Sequence, residues 1–310
     1  MRPSYDPESL RGASIVIGTP MYDGRCHSAF LHGMCQLTAL CNQHGVSLQV
    51  CFPCGDALIT TARNTLCDRF LQSAAQHLVM IDSDIGFEAA DVFDLLAIQR
   101  RDGSDNPYDV LAAPYPLKRL DWNSIARAVE LGLAAQDPAQ LERFASDIGL
   151  HLARGGSFAL GSPVEVTQAG TGFVSIRRRT LERFREAFPE RRYKAGANDR
   201  AEGSSPVITQ FFETATQGGT ETLEADLRAF LESHPEAGPT QVLAFLEERR
   251  QAISTYVSED YHFCRQVRSI GLQVWTCPWI NLTHTGSVTF RSQLSELARV
   301  RGAINGPADA

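Results

Sequence analysis

Two carboxylates one residue apart, Asp82 and Asp84, follow directly on the apolar run Leu78-Val79-Met80-Ile81. In extended backbone the side chains at i and i+2 leave the same face, so both can address one ligand. Two hard oxygen donors of this kind suit Mg²⁺ or Mn²⁺, and such a cation neutralises the charge of a diphosphate. The same pair also fits a plainer role, a strand-to-helix turn in which Asp84 or a neighbour caps a helix expected near positions 88–92. A second acidic pair, Glu259-Asp260, follows Ser258. It reads as the acidic first turn of a helix, with Ser258 as the cap and the carboxylates stabilised by the helix N-terminus. Arg63 offers a planar fork of five N–H donors, suited to a phosphate or to a salt bridge with a helix partner such as Asp68. His284 is an imidazole at a strand end, a hydrogen-bonded structural residue or a ligand for a cation such as Mn²⁺.

These residues need a frame that gathers positions far apart in the chain. Ala13–Pro20 reads as a buried strand, Ser28–Cys41 as an amphipathic helix and Val46–Phe52 as a second strand. Ile59–Asn64 leads into a helix through Leu71, and Leu78–Ile81 is the third strand. That alternation predicts an α/β fold with a parallel sheet and covering helices. Ligands of such sheets sit at the carboxyl ends of the strands, which places Thr19, Tyr22, Arg63 and Asp82 around one crevice. Asp109–Pro116 is a fourth strand ending in a rigid Pro-Tyr-Pro turn, with Lys118 and Trp122 beyond it.

Trp122–Arg154 is mostly helical in composition, and Pro163–Ile176 alternates as one strand around Gly170-Thr171-Gly172. Arg177-Arg178-Arg179 opens a helix with a solvated basic face. Lys194–Ser205 is polar and loop-like. Glu221–Arg250 forms two charged helices separated by Pro235 and Gly238-Pro239. The segment at about 195–255 thus reads as a helical insertion, a lid or partner surface, within one domain spanning 1–310. The core resumes with a helix from Ser258 through Ile270 that Gly271 caps, then a strand at Leu272–Cys277; the tail after Arg291 reads as helical and then disordered.

An apolar fraction of 43% over 310 residues is enough for a substantial core. A net charge of −7 argues against a nucleic-acid binder that relies on a broad basic surface. No apolar run reaches a membrane span and Met1–Arg11 lacks a signal-peptide core, so a soluble cytoplasmic protein is expected. Eight cysteines are scattered without disulfide-framework spacing, and Cys51–Cys54 is the one CxxC; reduced thiols lining the core are expected.

Taken in order, these segments resemble nucleotide-sugar-dependent glycosyltransferases of the GT-A fold, in the broad family-2-like group that includes uncharacterised bacterial and phage members. The resemblance spans roughly residues 13–290. It is carried by Ile15–Tyr22, Thr61-Ala62-Arg63-Asn64, Ile81-Asp82-Ser83-Asp84, Ala113–Lys118, Ala169–Phe173, Ser258-Glu259-Asp260 and Leu282–Gly286. The segment near 195–250 is longer than the family needs.

The resemblance implies a Rossmann-like, mixed and mostly parallel sheet flanked by helices. It implies metal-dependent transfer of a sugar from a UDP-sugar, or a GDP-sugar, to a hydroxyl of a glycan, protein or small molecule. Asp82, Asp84 and His284 would hold Mn²⁺ or Mg²⁺ at the diphosphate, with Asp82 facing the ribose or the metal. Thr19, Pro20 and Tyr22 would floor the base, and Arg63 with Asn64 would meet the pyrophosphate or the base edge. Ser83, Lys118, Gly170, Thr171 and Gly172 would complete the donor site, the glycines allowing close backbone approach. Asp260 would be the base and Glu259 would orient donor or acceptor. Trp122 or Trp279 is available to stack on an acceptor, while Trp275 belongs to the core. The sugar, the acceptor, the stereochemical outcome and any homo-oligomer stay open.

Two other classes match the sequence less well. A sugar-phosphate nucleotidyltransferase would carry a Gly-rich basic phosphate loop after the first strand, where this chain has Gly18-Thr19-Pro20-Met21-Tyr22-Asp23-Gly24. A catalytically inactive nucleotide-sugar-binding scaffold has no need to keep Asp82, Asp84, Asp260 and His284 together. A dinucleotide-dependent dehydrogenase is disfavoured, because no GxGxxG follows the first strand.

Overall fold

Eight strands make the central sheet: β1 (Ser14–Gly18), β2 (Ser47–Cys51), β3 (His77–Ile81), β4 (Val110–Ala112), β5 (His151–Leu152), β6 (Val164–Gln168), β7 (Phe173–Arg177) and β8 (Val274–Thr276). They lie in the order β2-β1-β3-β7-β4-β8-β6-β5. The computed structural model describes residues 5–100, 106–155, 157–196, 205–217, 223–251, 255–287 and 293. Pairs β1–β2, β1–β3 and β4–β8 are parallel, and the remaining four pairs are antiparallel. Only β6 and β7 run against the other six strands, so the sheet is mixed and mostly parallel in direction. The helices are α1 (Ser28–His44), α2 (Ile59–Gln72), α3 (Ala89–Gln99), α4 (Trp122–Glu130), α5 (Arg178–Ala187), α6 (Leu223–Ser233), α7 (Pro239–Gln251) and α8 (Glu259–Ser269).

Every residue of β3 is buried, as an apolar run covered on both faces requires. The two-residue period divides it between two cores. Val79 and Ile81 pack in one with Leu37 of α1 and Phe93 of α3. Leu78 and Met80 pack in the other with Leu66 and Phe70 of α2, Phe184 of α5 and Phe263 of α8. A rigid β3 is the consequence, with its carboxyl end fixed relative to both layers. Helix α3 carries its own capping box, in which the Asp91 carboxylate accepts from the Glu88 backbone N–H at 2.9 Å. The capping role considered for Asp84 is therefore filled by Glu88 and Asp91, and Asp84 is left for other work.

Three expectations are corrected. Pro163–Ile176 is two strands, not one: β6 ends at Gln168, and β7 turns back between β3 and β4. Apolar alternation persists through both, but the turn at 169–172 sends them to different places in one sheet. Trp122–Arg154 is helical only through Glu130; a 3₁₀ segment at Pro138–Phe144 and strand β5 follow. Gly132, with φ of +67°, and Pro138 interrupt the helix. The triple arginine is no solvated face. Arg178 donates to the carbonyls of Phe70, Leu71, Ser73 and Ala75, closing the open C-terminal end of α2. Arg179 bonds the Asn106 carbonyl and the Asp109 carboxylate, which anchors β4.

In the segment expected as an insertion, Arg192–Lys194 pairs with Val207–Thr209, and Ala215–Gln217 with Thr255–Val257. Phe230 of α6 stacks on Phe245 of α7 with ring centres 4.5 Å apart. Positions 197–204 of the expected loop, and the tail after Arg291 apart from 293, lie outside the described residues. Cys41, Cys67, Cys264 and Cys277 are buried, whereas Cys26, Cys35 and Cys54 are exposed, so the expectation of core-lining thiols describes half of the set. Burial pushes the Cys41 thiol up to about 11 and the Cys264 thiol to about 12. Among the described residues no helix is long and apolar enough to cross a membrane.

Candidate functional site

The turn after β3 is held from three directions. Asp82 N–H donates to the Gly172 carbonyl, His27 N–H to that of Ser83, and Thr285 N–H to that of Asp84, each at 2.9 Å. Asp82 accepts in turn from Ile85 N–H at 3.0 Å, which tightens the Asp-Ser-Asp turn. Immediately beyond it, Ile85–Gly86 pairs antiparallel with Thr283–His284. Only glycine fits at position 86, because a Cβ there would overlap the Thr283 hydroxyl and lie 2.7 Å from the Ala29 Cβ. This small ladder carries His284 to Asp84 across two hundred residues of chain.

His284 Nε2 lies 3.4 Å from Asp84 Oδ1, and its Nδ1 lies 2.7 Å from the Pro116 carbonyl oxygen. A carbonyl only accepts, so Nδ1 carries the hydrogen, and in the neutral ring Nε2 turns a lone pair toward the carboxylate. Two acceptors facing each other call for a proton or a cation between them. The other oxygen, Asp84 Oδ2, is paired with the Lys118 ammonium. The Lys118 stem lies over Gly286, where a Cβ would approach its Cδ to 3.1 Å.

The donor set suits a divalent cation that takes most of its ligands from outside the protein. One carboxylate and one imidazole oriented by a carbonyl suit Mn²⁺, whose remaining positions would be left to water or a bound ligand. Among the described residues no group of three or more His, Cys, Asp or Glu side chains forms a metal cage. A cation shared with a diphosphate needs no such cage. Asp82 is turned elsewhere: Arg63 Nη2 lies 3.3 Å from each of its oxygens.

Arg63 is the hub of the second half of the site. It is 3% exposed and donates through Nη1 to Glu259 Oε1 at 2.6 Å, so its partners are Asp82 and Glu259 while Asp68 bonds Gln72. A buried guanidinium is tolerated because carboxylates surround it. Burial pushes Asp82 above the ordinary carboxylate range, opposed by Arg63. Burial also raises Glu259, with the neighbouring Asp260 charge adding to the effect and Arg63 opposing it. Asp260 Oδ2 accepts from Thr171 N–H at 3.3 Å.

The glycines of Gly170-Thr171-Gly172 make room for Tyr115. A Cβ at 170 would overlap the Tyr115 hydroxyl, and one at 172 would sit 2.9 Å from its Cζ. The hydroxyl also accepts from Gly172 N–H at 3.3 Å, and the Tyr115 ring meets His284 edge-on at 5.4 Å. Tyr115 therefore joins the two acidic turns, a role sequence reasoning missed. Its signal was an aromatic residue between two prolines at a strand's carboxyl end, with a Gly-x-Gly turn elsewhere needing a partner.

Of the expected site residues, Arg63, Asp82, Asp84, Lys118, Gly170, Thr171, Gly172, Glu259, Asp260 and His284 converge, with Ser83 half-buried in the turn. Asn64 does not present its amide to the crevice; it exchanges hydrogen bonds with the Phe212 backbone at 2.9 and 2.7 Å. Thr19 is buried at the carboxyl end of β1, next to β3, and its hydroxyl has no hydrogen-bond partner among the described residues. Pro20 follows it half-buried, and Tyr22 is 66% exposed. Trp279 donates its indole N–H to Asp94 of α3 at 2.8 Å, Trp275 is partly buried against the core, and Trp122 is largely exposed. Beside Asp260 opens a cleft of about 280 Å³, with Tyr115, Leu150, Gln168 and Tyr261 on its walls.

No protein-family model and no curated protein matches the sequence. Among solved structures, A197 from STIV is similar over 55% of this chain and 67% of its own, at 15% identity and a TM-score of 0.33. GalNAc-T7, solved with UDP, GalNAc and Mn²⁺, is similar over 90% of this chain at 10% identity and a TM-score of 0.34. This chain covers 44% of the length of that protein. At these scores neither likeness carries an argument about function.

Proposed function

We propose that the chain is a metal-dependent glycosyltransferase that takes a nucleotide diphosphate sugar, with a UDP-sugar as the first donor to test. The observation that carries this reading is the Asp84–His284 pair, joined through Asp82 and Arg63 to the Glu259–Asp260 pair. A bound Mn²⁺ or Mg²⁺ would supply Lewis-acid stabilisation of the departing diphosphate. Asp84 and His284 would hold it, and Lys118 would face a phosphate oxygen. Pro20 and Tyr22 would floor the nucleotide, with the buried Thr19 supporting them from beneath. In the transfer step the acceptor oxygen forms a bond to the anomeric carbon as the bond to the diphosphate oxygen breaks. The diphosphate leaves with the electron pair, and the hydroxyl proton passes to the Asp260 carboxylate. Arg63 acts as a positioning residue, holding Asp82 and Glu259 in one frame.

Calorimetry with UDP and GDP, each with and without Mn²⁺, tests the donor site directly. UDP should bind tightly only when Mn²⁺ is present, and Asp84→Ala should weaken that binding at least ~10-fold. Equal affinity with and without metal, or in the variant, would overturn the assignment.

Lys118 yields a second test. A cation landing on Asp84 must displace the ammonium already there. Lys118→Ala should therefore bind free Mn²⁺ up to ~5-fold more tightly without nucleotide, the scale of a partly exposed ion pair. Its Mn²⁺-dependent UDP binding should weaken, because the variant has no ammonium to meet the phosphate. Free Mn²⁺ measured by electron paramagnetic resonance reads the first effect; an affinity no higher than wild type would rule out the competition.

A further inference from the structure

The cleft beside Asp260 shares only Gly170 with the donor roles above, and its chemistry differs from theirs. Its walls come from the carboxyl end of β4, from Leu150, from Val166 and Gln168 of β6 and from Tyr261 of α8. Asp260 supplies the only formally charged side chain among the lining residues, and no Lys, Arg or His contributes. Leu150 and Val166 contribute apolar groups to the lining, and Gln168 and Tyr261 contribute polar side chains. The Tyr261 hydroxyl lies 3.3 Å from His151 Nε2, and the two rings meet edge-on at 5.3 Å, so the phenol is fixed in place. At about 280 Å³ the cleft lies at the lower end of the range for ligand sites, room for one ring and not for a chain.

Resting on the reading of Asp260 as the base, we infer that this cleft is the acceptor subsite and that it takes a neutral hydroxyl-bearing sugar ring. A sugar offers an apolar C–H face for Leu150 and Val166 and hydroxyls for Gln168 and Tyr261, and one hydroxyl reaches Asp260. A phosphorylated sugar or a lipid phosphate would meet the Asp260 carboxylate with no cation in the lining to offset it. The specificity is for a neutral terminal ring.

Gly149 allows the cleft to be closed. It lies in the lining, its φ is not positive, and a Cβ there would meet only the Tyr261 hydroxyl, at 3.7 Å. Saturation-transfer NMR with Mn²⁺ and UDP present, using neutral methyl glycosides and methyl glycoside 6-phosphates as probes, reads the site. Neutral glycosides should bind wild type, the phosphates should not, and Gly149→Trp should lose the neutral signal. Gln168→Ala, a milder change, should weaken neutral binding about 5-fold through one lost hydrogen bond. Preference for the phosphates, unchanged neutral binding in both variants, or no binding of either probe while Mn²⁺–UDP binds would overturn the inference. Calorimetry separates the two readings. If neutral glycosides bind and Gly149→Trp removes them while Mn²⁺–UDP fails to bind wild type, the ring subsite stands and the donor assignment falls.

Discussion

Asp260→Asn should lower turnover by about 10²- to 10⁴-fold, the usual worth of a positioned general base. The amide has the shape of the carboxylate, and its carbonyl oxygen can still accept from Thr171 N–H, so the turn at 170–172 keeps its partner. What is lost is the capacity to take a proton. Glu259 is poorly placed to substitute, because its Oε1 is held by Arg63 at 2.6 Å. Mn²⁺-dependent UDP binding should stay within about twofold of wild type, since Asp260 touches neither Asp84 nor His284 among the contacts of either residue. Measuring transfer and nucleotide binding on the same preparation separates chemistry from folding. Full transfer by the variant would remove Asp260 from the role of base and leave the donor site untouched. The same result would exclude a scaffold that only binds, because wild type must first show turnover.

Much of this frame was legible in sequence because its signals are local. Val79 and Ile81 alternate with Leu78 and Met80, and that alternation marks β3 as covered on both faces wherever the chain goes next. Asp82 and Asp84 are readable for the same reason, as polar residues at the end of a buried run. Features set by distant partners were not. The fate of Arg178 depends on carbonyls at the end of α2, over a hundred residues earlier, and no local pattern records that pairing. Asn64 resembles a ligand residue until Phe212 is brought beside it. The break between β6 and β7 falls at Gly170-Thr171-Gly172, whose glycines were read as access for a sugar. Their close neighbour is the Tyr115 ring, which reaches them only because β7 inserts beside β4. Motif residues were thus found by type and spacing, whereas the residues that hold them together were hidden in the topology.

Arg63→Met tests that second group. The guanidinium side chain is 4% exposed, against 28% for Asp82 and 13% for Glu259, so its removal strands two largely desolvated carboxylates with Asp260 nearby. Breaking a buried ion pair from one side costs about 3–5 kcal/mol, and methionine fills most of the volume without adding strain. The loss should depend on pH with a definite sign. Asp82 and Glu259 already stand above their ordinary values through burial, and Arg63 is what opposes the rise. Without it their folded-state values climb further. Between the ordinary carboxylate range and those raised values, the folded variant holds protons that the unfolded chain has released. Its stability must then fall as pH rises through that window and recover toward acid. Urea unfolding at pH 8 and pH 5 should show a wide gap to wild type at the higher pH and a narrower one at the lower. A gap that stays constant would mean that packing, and not charge, carries the role of Arg63. Arg63→Lys divides the two contributions further: it restores a positive charge but cannot reach Asp82 and Glu259 at once with a planar fork. Partial recovery of stability with transfer still impaired is the outcome expected if Arg63 sets the distance between the two acidic turns.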